Sequence, residues 1–303
     1  MKPTLRQLEY LVAIADSGRF SDAAKAMNVS QPSLSAQVAD AEAHLGVPVF
    51  ERGRAGAMLT PMGDQIVRRA RYILRQVADM KAMAEHGADA LYGRIRMGVI
   101  PTIGPYLLPS VTRQLHARFP DLRLGIRDEA TDRLAEQLDD GRLDTVISTR
   151  EDHPGMQGSV LFEERLWVAV APDDELAQSN APVTLNELKG LPFLTLGLGH
   201  RLTWQVRQLA VRADAYISAD YEGTSLDAIR NMAALGAGVA ILPELYIKTE
   251  ARRDRSVALR PIGDPTARRE ISLIWRETSP LAENLPALAQ MLGAAAGAIL
   301  AKA

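Results

Sequence analysis

The hydrophobic period changes once along this chain of 303 residues, near residue 90, and the change limits the possible folds more than any other feature. Before it, apolar residues recur three and four apart, the spacing of helix faces. After it, short β-rich runs alternate with amphipathic helical stretches. The candidate strands are "RIRMGVI" (94–100), "LRLGIRD" (122–128), "DTVIST" (144–149), "RLWVAVA" (165–171), "YISADYE" (216–222), "GVAIL" (238–242) and "EISLIWR" (270–276). Helices are expected between them, for example over 105–118 and 225–235. This is the pattern of parallel α/β units. Two such lobes, the second at about 166–268, with the last strand returning to the first lobe, leave a cleft between them. Ligands of open α/β sheets bind outside the carboxyl ends of strands, near helix N-termini.

The cleft-lining segments can therefore be named. "IPTIGPYLLP" follows the first strand and puts Thr102 and Gly104 at a helix start. "EATDRL" puts Thr131 after the second. "GLGHRLTW" puts His200 and Arg201 just before a helix, and "EGTSLD" puts Thr224 and Ser225 at another N-cap. Each has a plainer reading: Thr131, Thr224 and Ser225 as helix caps, His200 as a structural histidine, Arg201 as a surface cation. Arg201 keeps its charge at any working pH and presents a planar fork of donors. Beside threonines and helix N-termini it suits a carboxylate, sulfate or phosphate, so a small anionic effector is expected.

The first 60 residues read as three short helices and a ribbon. Thr4 and Gln7 have capping-box spacing. Leu5, Leu8, Leu11, Val12 and Ala15 follow at helical intervals, and Gly18 suits a left-handed helix end. Ser21 is expected to cap a second helix carrying Ala23, Ala24 and Met27. Ser30 then caps a third, which places Pro32 in its first turn, where the missing N–H costs nothing. Leu34, Val38, Ala41 and Leu45 form one buried stripe. The opposite face is Pro32, Ser33 and Ala36, flanked by Gln31, Ser35 and Gln37. That face is small and uncharged, suited to a DNA major groove, with N-terminal N–H groups for a phosphate. "VPVFERGRAGAMLT" reads as two strands around a Gly-rich turn bearing Arg52 and Arg54. The expectation is a winged helix-turn-helix over 1–60 with Ser30, Gln31, Pro32, Ser33, Ser35, Gln37, Arg52 and Arg54 on DNA. The alternative is a small helical core with an ordinary hairpin, and charge does not decide between them: the net charge is -2.

Pro61 opens a long helical stretch. Ile66, Ala70, Ile73, Val77, Met80 and Ala84 alternate four and three apart, a heptad seam, while Arg68, Arg69, Arg71 and Arg75 lie off it. A linker helix over 61–89, pairing two copies as a coiled coil, is expected; a core helix of the larger domain is the alternative. The remaining domain is 90–303.

Several function classes are excluded or disfavoured. The chain has no cysteine, which removes disulfides, thiolate metal sites and thiol chemistry. Its start, "MKPTLRQLEY", has no apolar core of an export signal, and no run is long enough to span a membrane, so a cytoplasmic location is expected. An enzyme is not expected. "GTSLD" lacks the second glycine of a nucleophile elbow, "GLGHRL" and "GAGVAI" lack the third of a dinucleotide loop, and no histidine cluster has metal spacing. No cofactor is implied. A periplasmic solute-binding protein would share the two lobes but has no winged helix.

The segment "LRQLEYLVAIADSGRFSDAAKAMNVSQPSLSAQV" resembles the N-terminal domain of LysR-type transcriptional regulators, through Phe20, Ala23, Ala24 and Ser30 to Ser35, as does the wing "VFERGRAGAMLTPMG". After Val38 the family continues with a basic residue and Leu-Glu; here Ala39, Asp40, Ala41 and Glu42 follow, without that phosphate contact. The resemblance extends over the whole chain. "MGVIPTIGPYLLP", "DGRLDTVI" and "TSLDAIRNMAALGAGVAILP" look most like the peroxide-sensing, OxyR-type branch. It implies an α/β multidomain protein with a winged helix-turn-helix, a long dimerising linker helix and a two-lobed, periplasmic-binding-protein-like effector domain. The implied partners are double-stranded promoter DNA, a small effector, further copies of the chain as a dimer of dimers, and RNA polymerase. The branch carries two redox cysteines where this chain has Arg201 and Ala210, so peroxide sensing through a disulfide is not carried over.

Overall fold

The computed structural model describes residues 2–53, 56–86 and 93–302. It divides into two compact units, one of residues 1–88 with 140–142 and one of 89–139 and 143–303.

In the N-terminal unit α1 (Leu5–Ser17) starts on Thr4, whose hydroxyl accepts from the Gln7 N–H while the Gln7 side chain accepts from the Thr4 N–H; it ends on Gly18 at φ 68°. Helix α2 (Phe20–Ala26) begins at Arg19, with no side-chain cap. Ser21, expected to cap it, lies one residue inside the helix and bonds Asp22 instead. Helix α3 (Gln31–Leu45) is capped by Ser30, which accepts from Ser33 N–H, and carries Pro32 in its first turn. Leu34, Val38 and Ala41 are completely buried, and Leu34 and Val38 share one core with Leu11 and Ile14 of α1. Strands β1 (Phe50–Gly53) and β2 (Gly56–Leu59) form the antiparallel wing. The wing is docked by a hydrogen bond from Ala57 N–H to Gly18 O, and a Cβ on Gly56 would stand 2.5 Å from that oxygen, so only glycine fits.

Helix α4 (Pro61–His86) covers most of the expected linker; 87–89 lie outside the described residues. Its first half belongs to this unit's own core. Val67 and Ala70 are buried and Ile66 and Leu74 pack beside them. The expected seam is therefore split: Ala70 faces inward, while Ile73 and Met80 are exposed at 37% and 64%.

The C-terminal unit holds two hydrophobic cores. The first lobe is built on β3 (Gly93–Val99), α5 (Gly104–Arg118), β4 (Leu122–Asp128), α6 (Thr131–Asp139) and β5 (Thr145–Ser148), with β3 parallel to β4 and β5. After a single 3-10 turn at Arg150–Asp152, the long strand β6 (Gln157–Val170) crosses into the second lobe. That lobe contains β7 (Pro192–Leu196), α7 (Arg201–Ala213), β8 (Tyr216–Gly223), α8 (Leu226–Ala234), β9 (Val239–Pro243), α9 (Glu244–Thr249) and β10 (Ala258–Pro261). Strand β11 (Arg268–Trp275) returns to lie antiparallel between β5 and β6, and α10 (Leu285–Leu300) closes the first core. The strand order is β4-β3-β5-β11-β6-β9-β7-β8, with β10 beside β6. The units are thus parallel within each lobe, but the two crossover strands are antiparallel to their neighbours. The second core draws on residues from Leu166 to Ala267. Strands β7 and β10 and the first half of β6 go beyond the sequence-based expectation.

Candidate DNA-binding face and effector cavity

In the first two turns of α3 the exposed side chains are Gln31, Pro32, Ser33, Ala36 and Gln37, with Ser30 exposed at the cap and Ser35 half-buried. The helix shows solvent the small uncharged face expected of it. Gln37 is oriented from behind: the buried Gln7 amide donates to Gln37 Oε1 at 3.3 Å and to Asp40 Oδ2 at 2.6 Å. Asp40 also meets Lys2 at 2.8 Å, and these hydrogen bonds hold its carboxyl below the ordinary value. Glu42 turns inward and accepts from Val49 and Phe50 N–H at 2.7 and 3.1 Å, fixing the start of the wing. Asp40 and Glu42, the two acids of that segment, are thus structural ties within this unit. Arg52 lies on β1, but its side chain, like all of Arg54, lies outside the described residues.

The predicted effector residues separate into two places. Thr102, Thr224 and Ser225 line one cavity of about 380 Å³, together with Pro101, Tyr106, Asp128, Leu196, Asp227 and Glu250. Its walls come from both lobes: the segment after β3 and the end of β4 on one side, the start of α8 and Glu250 on the other. Ser225 is also the N-cap of α8, accepting from Ala228 N–H at 3.2 Å. Tyr106 and Tyr246 pack edge to face at 5.0 Å, and Tyr246 donates to Asp227 at 2.8 Å. Burial raises both phenols above their ordinary value, and burial likewise raises Asp128. Gly104 begins α5 behind this wall, where a Cβ would press within 2.8 Å of Val99.

Thr131, His200 and Arg201 meet the opposite lobe elsewhere. Thr131 is the buried first residue of α6, beside Asp132. His200 is the N-cap residue of α7 and faces Asp132, whose charge partly offsets the lowering of the imidazole by burial. Arg201 pairs with Asp152 of the 3-10 turn at 3.1 Å and stacks on Trp204, its guanidinium carbon 4.3 Å from the ring centroid. This seam joins the start of α7 to the first lobe. Arg201 does not line the cavity with Thr102 and Thr224, and its charge is already matched. The lining instead carries three carboxylates, Asp128, Asp227 and Glu250, and no cation among the described residues. The expected convergence of Arg201, Thr102 and Thr131 on one anion does not occur.

Sequence reading missed the buried ion pair at the root of the lobes. Arg269 on β11 donates to Glu164 on β6 at 2.8 Å and to Thr102 Oγ1 at 2.8 Å, while Glu164 also accepts from Leu245 N–H at 2.6 Å. Arg269 and Glu164 are exposed by 1% and 0%, so Thr102 is held rigidly at the cavity wall. Burial pushes the Glu164 carboxyl up, and Arg269 pulls it back. The partners lie 105 residues apart, so no local pattern announces them. Among the described residues no cluster has the makings of a metal site, and no helix is long and apolar enough to cross a membrane.

A helix-turn-helix unit with a wing, joined in one chain to a two-lobed α/β unit with an interlobe cavity, defines a ligand-responsive transcription factor. Residues 5–64 match the bacterial regulatory helix-turn-helix family of LysR type, and residues 88–297 match the LysR substrate-binding domain. The chain belongs to the LysR-type transcriptional regulators, a family of DNA-binding regulators and not of enzymes. It is 37% identical over 291 residues to the DNA-binding transcriptional dual regulator OxyR of Escherichia coli K12, covering 96% of this chain and 95% of that one. It is 37% identical to a hydrogen peroxide-inducible genes activator of Haemophilus influenzae, covering 91% and 92%. A full-length OxyR of Pseudomonas aeruginosa with a cysteine-to-aspartate substitution superposes with a TM-score of 0.78 at 30% identity, covering 99% and 98%. A peroxide-bound cysteine-to-serine mutant of Corynebacterium glutamicum OxyR superposes with a TM-score of 0.68 at 31% identity, covering 99% and 96%.

Proposed function

We propose that this LysR-type regulator acts in the cytoplasm as an oligomer, reads its operator with the exposed face of α3, and is switched by a small molecule in the interlobe cavity. The observation that carries the reading is the capped N-terminus of α3: Ser30 and Pro32 fix the helix start so that Gln31, Ser33, Ser35 and Gln37 are presented together. Backbone N–H groups at that start suit a phosphate, and the amide and hydroxyl groups suit base edges. Arg52 and Arg54 complete the reading as phosphate contacts from the wing. The exposed Ile73 and Met80 support dimerisation along the outer half of α4, with domains of 1–60, 61–89 and 90–303. The relatives' names support transcriptional activation, with RNA polymerase as the partner that activation implies.

The trigger differs from the thiol chemistry those names suggest. Without cysteine, peroxide cannot form a disulfide or a sulfenic acid here. The 380 Å³ cavity is large enough for a small metabolite. Its acidic and hydroxylic lining favours a ligand that donates hydrogen bonds over the anion expected from sequence. A thermal-shift screen of metabolites on wild type and Asp227→Asn tests this: a cavity ligand stabilises the wild type and stabilises the variant less. An effector that stabilises both equally binds elsewhere.

A further inference from the structure

A second cavity, of about 330 Å³, lies in the second lobe and shares only Leu196 with the interlobe lining. Its origin is a break in strand pairing. On the edge strand β8, Ile217 pairs with Phe193 and Glu222 with Thr195, so residues 218–221 oppose the single residue Leu194. The edge strand bows outward there, tied by the Asp220 N–H donating to the Ser218 hydroxyl at 3.3 Å. The space between the bow and α7 is lined by Thr195, Leu196, Leu198, Arg207, Ile217, Ser218, Ala219, Tyr221 and Glu222. Bulges on sheet edges commonly re-aim side chains at sites.

The charges in this cavity are unmatched. Arg207 on α7 and Glu222 on β8 both line it, yet they form no ion pair with each other or with any other described residue. Elsewhere on this lobe exposed arginines do find partners, as Arg212 does with Asp264 at 2.6 Å. Glu222 is pressed against the loop after β7, where a Cβ on Gly197 would lie 2.8 Å from its carboxylate oxygen. Thr195, Ser218 and the apolar Leu196, Leu198 and Ile217 line the cavity with the two charges. Leu198 is 73% exposed and gives the cavity an apolar rim.

A lone anion would leave Glu222 facing it, and a lone cation would leave Arg207 facing it. A molecule bearing both charges satisfies both with charge-assisted hydrogen bonds. We propose that this cavity is a second small-molecule site for a zwitterion of the size of an aliphatic α-amino acid, with its carboxylate on Arg207, its ammonium on Glu222 and its side chain on Leu198 and Ile217. Arg207 and Glu222 lie outside the interlobe lining, so the site stands whether or not the effector reading above does.

The test is isothermal titration calorimetry of the full-length protein with L-leucine, N-acetyl-L-leucine and L-leucinamide. Leucine should bind with one site per chain. Blocking either its amine or its carboxylate should weaken binding about tenfold or more, as should Arg207→Met or Glu222→Gln, each on an exposed side chain that the fold does not need. Three results would overturn the proposal: no binding of leucine up to about 10 mM, binding of either blocked compound as tight as that of leucine, or wild-type affinity in both variants, which would place the ligand elsewhere.

Discussion

The guanidinium of Arg201 stands 3.1 Å from the carboxylate of Asp152, and the two residues belong to different lobes of the C-terminal unit. Both side chains are largely buried, with exposures of 21% and 16%, so the pair is screened less than a surface bridge. It fastens the start of α7, the segment in which the family's peroxide-sensing branch carries a redox cysteine, to the first lobe. Arg201→Met and Asp152→Asn should each cost on the order of 1 kcal/mol in chemical denaturation, and the double variant no more than the larger single one. Fully additive losses would show that the two residues do not act as a pair.

Acid should weaken this seam through histidine. His153 is 3% exposed and neither ring nitrogen has a partner among the described residues; burial holds its imidazole below the ordinary value, with Asp152 opposing. His200 is lowered for the same reason, with Asp132 opposing. A histidine lowered in the folded state binds its proton first in the unfolded chain. Stability is therefore full above the unfolded value, about pH 6.5, and is lost as pH falls below it. Denaturation of the full chain at about pH 7.5 and about pH 5.5 should show this loss, and His153→Leu should reduce it. A pH slope unchanged in that variant would assign the effect to other groups.

The buried pair of Arg269 and Glu164 should be the least replaceable polar contact of the C-terminal unit. Removing one partner leaves a charge in a site exposed by 1% or less. Arg269→Ala should cost about 3–5 kcal/mol, whereas Thr102→Val, which removes one hydrogen bond, should cost about 1 kcal/mol. Replacing both charges together, as Glu164→Leu with Arg269→Met, should recover much of the loss. A double variant as unstable as Arg269→Ala would mean that shape, and not the unpaired charge, sets the cost.

On α3, specificity and stability should separate. Ser30→Ala removes the cap and should destabilise the N-terminal unit by about 1 kcal/mol. Substitutions of Gln31 or Ser33 should change base preference by about 1–3 kcal/mol at one operator position, while substitutions of Arg52 or Arg54 should weaken all sequences and lower the salt slope. Selection of bound sequences by each variant reads this directly. Equal weakening on every sequence from Gln31 and Ser33 changes would assign α3 a supporting role only.

Local chemistry made much of this fold legible. Thr4, Gly18, Ser30 and Pro32 announce helix ends because caps act within a few residues. Strand β4 alternates cleanly enough to be placed to the residue. Strand β7, "PFLTL", was not legible: it opens on proline and is buried on both faces, so it shows no alternation. Thr102, Thr224 and Ser225 could be named because each lies in the short turn between a strand and the helix that follows it. Asp152 and Glu164 could not, because their partners are brought to them only by the lobe crossing. Arg201 read as a free cation for the same reason: its counter-charge lies 49 positions earlier, on the other lobe.

The most direct measurement is the affinity of the full-length protein for DNA recovered by genome-wide mapping of its bound sites, with and without hydrogen peroxide. Specific sites should bind at least about 10³-fold tighter than unrelated DNA, and peroxide should leave that ratio and the footprint unchanged. Equal affinity for all sequences, or a footprint that shifts with peroxide alone, would contradict a sequence-reading LysR-type regulator whose trigger is not peroxide.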